Sequence, residues 1–175
     1  MNGKTLIVAG LLALAVGVPP GQAELMVQFD EGAPNDMFRI ENAGACAILA
    51  SSVHLDLSTS RGGLIFDVTA QGAGVEVYQP FELVEGSDAL QAPPSVQDGQ
   101  SKIALDIVQL PSGGAIAFTI DVDDTIGQRA ITVSGAEIEG ATVTLASAAS
   151  RETAEFSDLA RAAVPVAGCD AASNG

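Results

Sequence analysis

The sequence predicts an all-β fold: a single antiparallel β-sandwich, immunoglobulin-like in architecture, with about seven to nine strands. Two observations support this prediction. Apolar and polar residues alternate in short segments rich in Val, Ile, Thr and Phe, which is the period of a strand with one buried and one solvent-facing side. Turn-forming residues separate these segments about every 8–12 residues, a spacing typical of sandwiches and barrels.

Six segments carry the alternation, and the clearest of them is 116–122, with the sequence IAFTIDV. Segment 150–161 has a weaker pattern, which we interpret as two short edge strands, or a strand and a turn, rather than a helix. The alternating segments are, in chain order, 53–57, 75–78, 103–108, 116–122, 130–133 and 141–145. The turn signals, rich in Gly, Pro, Asn and Asp, are 32–36, 42–44, 61–63, 71–74, 85–88, 93–94, 98–99 and 111–114.

The first 23 residues have the parts of a cleaved secretory signal peptide: Lys4, an apolar run at 5–18, and small residues before the predicted cut. That run of about 14 residues is shorter than the ~20 that a membrane-spanning helix needs. The sequence therefore predicts a leader at 1–23, one domain at 24–170 and a short tail at 171–175. We expect the protein to be secreted or periplasmic, or held at the cell surface, with no membrane insertion after cleavage.

Charge limits the classes of partner. The chain has 22 acidic and 7 basic residues, and loss of Lys4 with the leader leaves a formal charge of −16. Such a field repels phosphate backbones, so we expect a protein or cell-surface partner and no nucleic acid. The chain is also 47% hydrophobic, which argues against disorder. With one His and two Cys, it lacks the residues for a zinc site rich in His and Cys.

The two cysteines, Cys46 and Cys169, favour a disulfide, because an even number of cysteines in an exported chain is usually paired. The alternative is two unpaired thiols. No C-x-x-C motif is present, so a redox-active pair is not indicated.

Two acidic segments, 30–36 and 121–124, are candidates for a calcium site. On a strand, Asp121 and Asp123 point to one face, and Asp124 can reach round the following turn. Calcium takes six to eight oxygen ligands, usually carboxylates and main-chain carbonyls, which loops at one end of a sandwich can supply. The candidate ligands are Asp30, Glu31, Asp36, Asp121, Asp123 and Asp124. The alternative is that these acids cap turns and keep the surface soluble.

Catalytic residues are not indicated. The only histidine, His54, shares a strand face with Ser52 and Asp56, but each is two residues away, roughly 6–7 Å by strand rise. That separation is too long for direct hydrogen bonds, so we interpret the three residues as a polar ladder on the solvent face. Asp67 lies in the apolar segment 64–68, and we expect its side chain to point outwards. The alternative is a buried carboxylate that bonds turn amides at the sheet edge.

Four phrases resemble the bacterial proteins known as aggregation factor core, which are similar to a domain of sponge aggregation factors. They are FDEGAPNDMFRIEN at 29–42, GLIFD at 63–67, GAGVEVYQPF at 72–81 and FTIDVDD at 118–124. The resemblance covers roughly residues 25–145. It implies an extracellular adhesion-type β domain, and in sponges such factors act in calcium-dependent cell aggregation. This chain is a single small domain, which departs from the multi-domain, glycan-bearing sponge factors.

Taken together, these observations predict an exported, non-catalytic adhesion or binding module, with stabilisation by Ca²⁺ as one of the two interpretations of its acidic segments. Two alternatives come from other classes. One is a secreted hydrolase that uses a pair of carboxylates, which any acidic chain can supply. The other is a periplasmic structural or inhibitory domain that acts by protein contact alone.

Overall fold

The computed structural model describes the greater part of the predicted domain. The described residues are 24–32, 35–72, 74, 78–126 and 133–166. The predicted leader, the predicted tail and Cys169 lie outside them, as do most of the predicted strands 75–78 and 130–133. Across the described ranges, no helix is long and apolar enough to cross a membrane.

The predicted all-β sandwich is confirmed. Among the described residues, nine strands form two antiparallel sheets that share one core, and two further strands form a small ribbon. An immunoglobulin-like connectivity stays a prediction. The strands are β1 (Glu24–Asp30), β2 (Asp36–Asn42), β3 (Ser51–Asp56), β4 (Ile65–Phe66), β5 (Glu82–Glu85), β6 (Lys102–Ile107), β7 (Ala115–Ile120), β8 (Val122–Asp123), β9 (Thr142–Ser147), β10 (Arg151–Glu155) and β11 (Arg161–Pro165). A single 3₁₀ turn, Ser87–Ala89, follows β5.

The larger sheet has the strand order β11-β1-β2-β7-β5, and the smaller has the order β10-β9-β3-β6. The segment predicted at 150–161 becomes β10 and the start of β11, which are edge strands of different sheets. The chain therefore crosses from one sheet to the other between residues 155 and 161.

The core lies between the sheets and is built from the inward residues of each strand. Burial alternates residue by residue along β1, β2 and β6. Of these three strands, only β6 is among the alternating segments predicted from the sequence. Aromatic rings line the inner face of the larger sheet. The Phe38 ring lies 5.0 Å from that of Phe29 and 5.3 Å from that of Phe118, and Phe81 stacks on Phe118 at 4.8 Å. Burial of these side chains supplies much of the hydrophobic stabilisation of the sandwich.

The ribbon positions the candidate site. After β7 the chain passes through Asp121 into β8, which leaves the larger sheet and pairs with β4. In that pairing, Ile65 lies opposite Asp123 and Phe66 lies opposite Val122. The residue that follows β4, Asp67, is therefore brought next to the β7–β8 junction, where its backbone N–H donates to the carbonyl of Asp121 at 3.1 Å.

Candidate metal centre

Three aspartates meet where the ribbon joins the larger sheet. Asp67 follows β4, Asp121 links β7 to β8, and Asp123 ends β8. One carboxylate oxygen from each residue lies within 4.8 Å of the other two. We call these three residues the aspartate triad. The backbone of Gln79 fixes their spacing, because its N–H donates to the carbonyl of Asp67 and its carbonyl accepts from the N–H of Asp121.

The triad is buried and carries oxygens that have no partner. Asp67, Asp121 and Asp123 are only 3%, 7% and 2% exposed. Neither Oδ1 of Asp67 nor Oδ2 of Asp121 receives a hydrogen bond from any described residue. Buried carboxylate oxygens are costly unless a donor or a cation satisfies them. None of the four ion pairs formed within the described ranges includes either residue.

Burial opposes ionisation of two triad members, and their pKa values are raised. Burial, together with the negative charges of Asp123 and Asp36, raises the pKa of Asp121 to about 7. Burial also raises the pKa of Asp67 to about 6, together with a side-chain hydrogen bond to Asp98. At neutral pH the cluster therefore favours bound protons or a bound cation over three bare carboxylates.

Asp36 lies beside the triad and connects two backbone segments there through hydrogen bonds. It is 2% exposed at the start of β2, and both of its carboxylate oxygens accept backbone hydrogen bonds. Oδ1 accepts from Gly32 at 3.0 Å, and Oδ2 accepts from Val122 at 3.1 Å. Burial raises its pKa to about 7. Asp36 thus joins the β1–β2 loop to the residue that separates Asp121 from Asp123, and so positions those two ligands.

Asp67 is a correction to the sequence prediction, which placed its side chain in solvent. The prediction was wrong because β4 ends at Phe66, so the strand period no longer sets the direction of the next side chain. A second residue that the sequence did not single out, Asp98, stands beside Asp67. Oδ1 of Asp98 accepts from the backbone N–H groups of Val68 and Thr69 at 2.9 and 3.1 Å. The signal for Asp67 is an acid in an apolar segment next to a glycine-rich turn.

Two glycines of that turn lie directly against the carboxylates. A Cβ on Gly72 would overlap the side-chain oxygens of Asp98 and Asp67, and a Cβ on Gly74 would overlap those of Asp123 and Asp67. Only a residue without a side chain fits at either position. The main chain of both glycines therefore runs directly against the cluster, and main-chain carbonyls are among the ligands that calcium accepts.

The structure brings together half of the six predicted ligands. Asp121 and Asp123 belong to the triad, and Asp36 lies beside it. Asp124 is also buried, at 2% exposed, and its Oδ2 receives no hydrogen bond from the described residues.

The acids of the β1–β2 loop other than Asp36 have separate partners. Asp30 lies at the end of β1 and accepts a hydrogen bond from the Gln28 side chain at 2.5 Å. Glu31 is exposed and accepts from the backbone N–H of Gly135 at 2.6 Å. Neither residue is a member of the triad. Glu31 nevertheless contributes to the field at Asp36, since its charge helps to raise the pKa of that residue.

The Ser52–His54–Asp56 row lies on the outer face of the smaller sheet, as expected. Val53 and Leu55 point into the core between them. The hydroxyl of Ser52 donates to Asp106 on the neighbouring strand at 2.5 Å and not to the imidazole. The arrangement is a polar ladder without the hydrogen bonds of a nucleophile and its base.

Cys46 is half-buried in the segment after β2, where its carbonyl accepts a hydrogen bond from Asn42 at 2.9 Å. Because Cys169 is outside the described residues, the Cys46–Cys169 disulfide stays a prediction. Comparisons with known proteins leave the resemblance to aggregation factor core proteins as an expectation. No protein-family model, curated protein or solved structure gives a significant match to the chain.

Proposed function

We propose that this protein is an exported, non-catalytic binding or adhesion module in which a calcium ion, held by the aspartate triad, stabilises one end of the sandwich. The observation that carries the calcium part is the buried triad itself, with its two unpartnered carboxylate oxygens. The adhesion part is supported by the predicted leader and by the resemblance to aggregation factor core proteins.

The geometry suits a hard cation of calcium's size. Calcium–oxygen distances are about 2.3–2.6 Å, so two oxygens on one ion lie at most about 5 Å apart. The triad oxygens satisfy that limit, at 4.8 Å or less. The donors are all carboxylates, with main chain from Gly72 and Gly74 beside them, and this set favours calcium over zinc.

Calcium is also favoured over magnesium, because magnesium keeps several waters and a strict octahedron. The buried triad leaves little room for bound water, since each of its residues is less than one-tenth exposed. The same burial disfavours the hydrolase alternative, in which a substrate has to reach the carboxylates.

A cation at the triad would cross-link three parts of the chain: the end of β4, the β7–β8 junction and, through Asp36, the β1–β2 loop. It would neutralise a cluster that otherwise opposes folding. Its role would be to fix the loops at this end of the sandwich, which then present a rigid surface to a partner.

Thermal unfolding of residues 24–175 in calcium, in magnesium at matched ionic strength and in chelator tests the calcium part. Calcium at 100 times its dissociation constant adds about 2.7 kcal/mol to the free energy of unfolding. For a domain of this size the midpoint rises by about 5–10 °C. A rise specific to calcium supports the proposal. Equal small shifts with both cations mean general screening of an acidic surface and contradict it.

Beads coated with the protein test the adhesion part. We expect clustering in calcium and dispersion in chelator. If calcium stabilises the fold but the beads stay dispersed and bind no cells, the adhesion part is wrong while the calcium site stands.

A further inference from the structure

A second polar site lies on the outer face of the smaller sheet. His54 on β3, Lys102 on β6 and Arg151 on β10 line a cavity of about 320 Å³, together with Thr142 and Thr144 of β9. This volume is at the lower end of the range of small-molecule sites. His54 lies opposite Thr144 in the sheet register, so the imidazole and the threonine hydroxyl form adjacent parts of the cavity floor.

This cavity brings together basic side chains of a very acidic protein. His54 is the only histidine of the chain, and Lys102 is the only lysine outside the predicted leader. Arg151 adds one of five arginines. The lining contains one acidic residue, Asp56.

Two of the three side chains have no partner in the described part of the chain. Arg39 and Arg61 form ion pairs, with Glu85 at 2.5 Å and Glu139 at 2.6 Å. Arg151, in contrast, forms no ion pair there, and neither its side chain nor that of His54 makes a hydrogen bond with a described residue. Arginine presents a planar set of N–H donors that suits carboxylate, sulfate and phosphate groups.

Three acids share this face: Asp56, which also lines the cavity, Asp106 and Glu155. Glu155 is exposed opposite Thr142 and does not line the cavity. The other two have neighbours as partners. Asp56 holds the Lys102 ammonium at 2.7 Å with Oδ2 and accepts from Ser58 with Oδ1. The Asp106 carboxylate accepts from Ser52 at 2.5 Å. The Lys102 ammonium keeps two further N–H donors after its pairing with Asp56.

We propose that this cavity binds an anionic group (a sulfate, phosphate or carboxylate) between the guanidinium of Arg151 and the imidazole of His54, with Lys102 and the Thr144 hydroxyl at its border. The group belongs either to a free small anion or to a repeating unit of an anionic polymer. The site lies on the other sheet from the triad's β7–β8 junction and does not depend on calcium.

NMR titration of the ¹⁵N-labelled protein at constant pH tests the proposal. The single histidine gives one set of imidazole resonances, which report directly on the cavity. Sulfate and inorganic phosphate probe the free anion, dextran sulfate probes the polymer, and chloride at matched ionic strength is the reference. We expect saturable shifts of His54 and of the β3, β6 and β9 amides around the cavity with at least one probe. A response to dextran sulfate alone assigns the polymer as the source.

Substitutions separate this site from general charge effects. Arg151→Gln and His54→Gln should each weaken binding about tenfold, as expected for loss of a charge-assisted hydrogen bond. Arg161→Gln is the matched control, because Arg161 is also an edge-strand arginine without an ion pair among the described residues, but lies on the larger sheet. The proposal is overturned if no probe gives saturable shifts, or if Arg161→Gln weakens binding as much as Arg151→Gln.

Discussion

Replacing Asp121 by asparagine should raise stability in the absence of calcium and weaken the stabilisation that calcium adds. Asparagine has nearly the same shape, so Asp121→Asn removes one negative charge from the cluster without leaving a cavity. In chelator at pH 8 the wild-type carboxylate is ionised although burial raises its pKa from 3.8 to about 7. Each pKa unit corresponds to about 1.4 kcal/mol, so ionisation costs the folded state up to about 4 kcal/mol. Removing that cost stabilises the chelated variant.

Calcium narrows the difference in stability between the two proteins. At 100 times its dissociation constant, calcium stabilises the wild type by about 2.7 kcal/mol. The variant has lost one of three carboxylate ligands and should gain less than about 1 kcal/mol. The calcium-dependent rise in melting temperature should therefore shrink by about 4–7 °C in Asp121→Asn, while its melting temperature in chelator rises.

Circular dichroism melts at pH 8, in calcium and in chelator, measure both effects. Asp88→Asn is the control for net charge, since Asp88 is exposed in the 3₁₀ turn. We expect this control to leave both melting temperatures nearly unchanged. A lower melting temperature of Asp121→Asn in chelator, or a full response to calcium, would contradict the role given to Asp121.

Three other predictions follow from the same structure. First, the folded-state pKa values of the buried aspartates are raised to about 6 to 7, so the fold favours their neutral forms. In chelator the melting temperature should therefore fall as the pH rises from 5 to 8. Saturating calcium should remove that fall. A pH profile unaffected by calcium would contradict this. Second, Gly74→Ala should abolish calcium-dependent stabilisation, because the added Cβ overlaps two triad carboxylates. The control Gly135→Ala should keep it, since the Cβ there would lie 3.3 Å from its nearest neighbouring atom. Calorimetric titration with calcium compares the two variants. Third, reduction should lower the melting temperature if Cys46 pairs with Cys169. A disulfide that closes a loop of this length contributes about 4–5 kcal/mol in the chain-entropy model. An equal melting temperature with and without reductant would argue for free thiols.

Much of the fold could be predicted from local patterns. The alternation in 53–57 and 103–108 predicted β3 and β6, because a strand with one buried face has to repeat every second residue. The same period placed Asp121 and Asp123 on one side of the chain, and the structure sets both in the triad. The order of strands within the sheets was not predictable in this way, since it depends on contacts between distant segments.

The position of Asp67, the third member of the triad, could not be predicted from local sequence patterns. The period of β4 predicted an outward Asp67, but the strand stops one residue earlier. The position of Asp67 is set by long-range backbone hydrogen bonds to Asp121 and Gln79. Likewise, Asp98 sits in a turn that sequence reading recognised, but its contact with residues 67–69 joins positions about 30 apart in the chain. No spacing rule in the sequence reports such contacts.

The pairing of the first and last described strands has a consequence for folding order. β1 lies between β2 and β11, with Glu24 opposite Pro165. The larger sheet therefore stays incomplete, with one edge of β1 exposed, until residue 165 has left the ribosome. Pairings between such distant segments fold slowly.

The near end-to-end placement of residues 24 and 165 also makes this pair a natural point for circular permutation, with new termini opened in an exposed turn such as the one between β9 and β10.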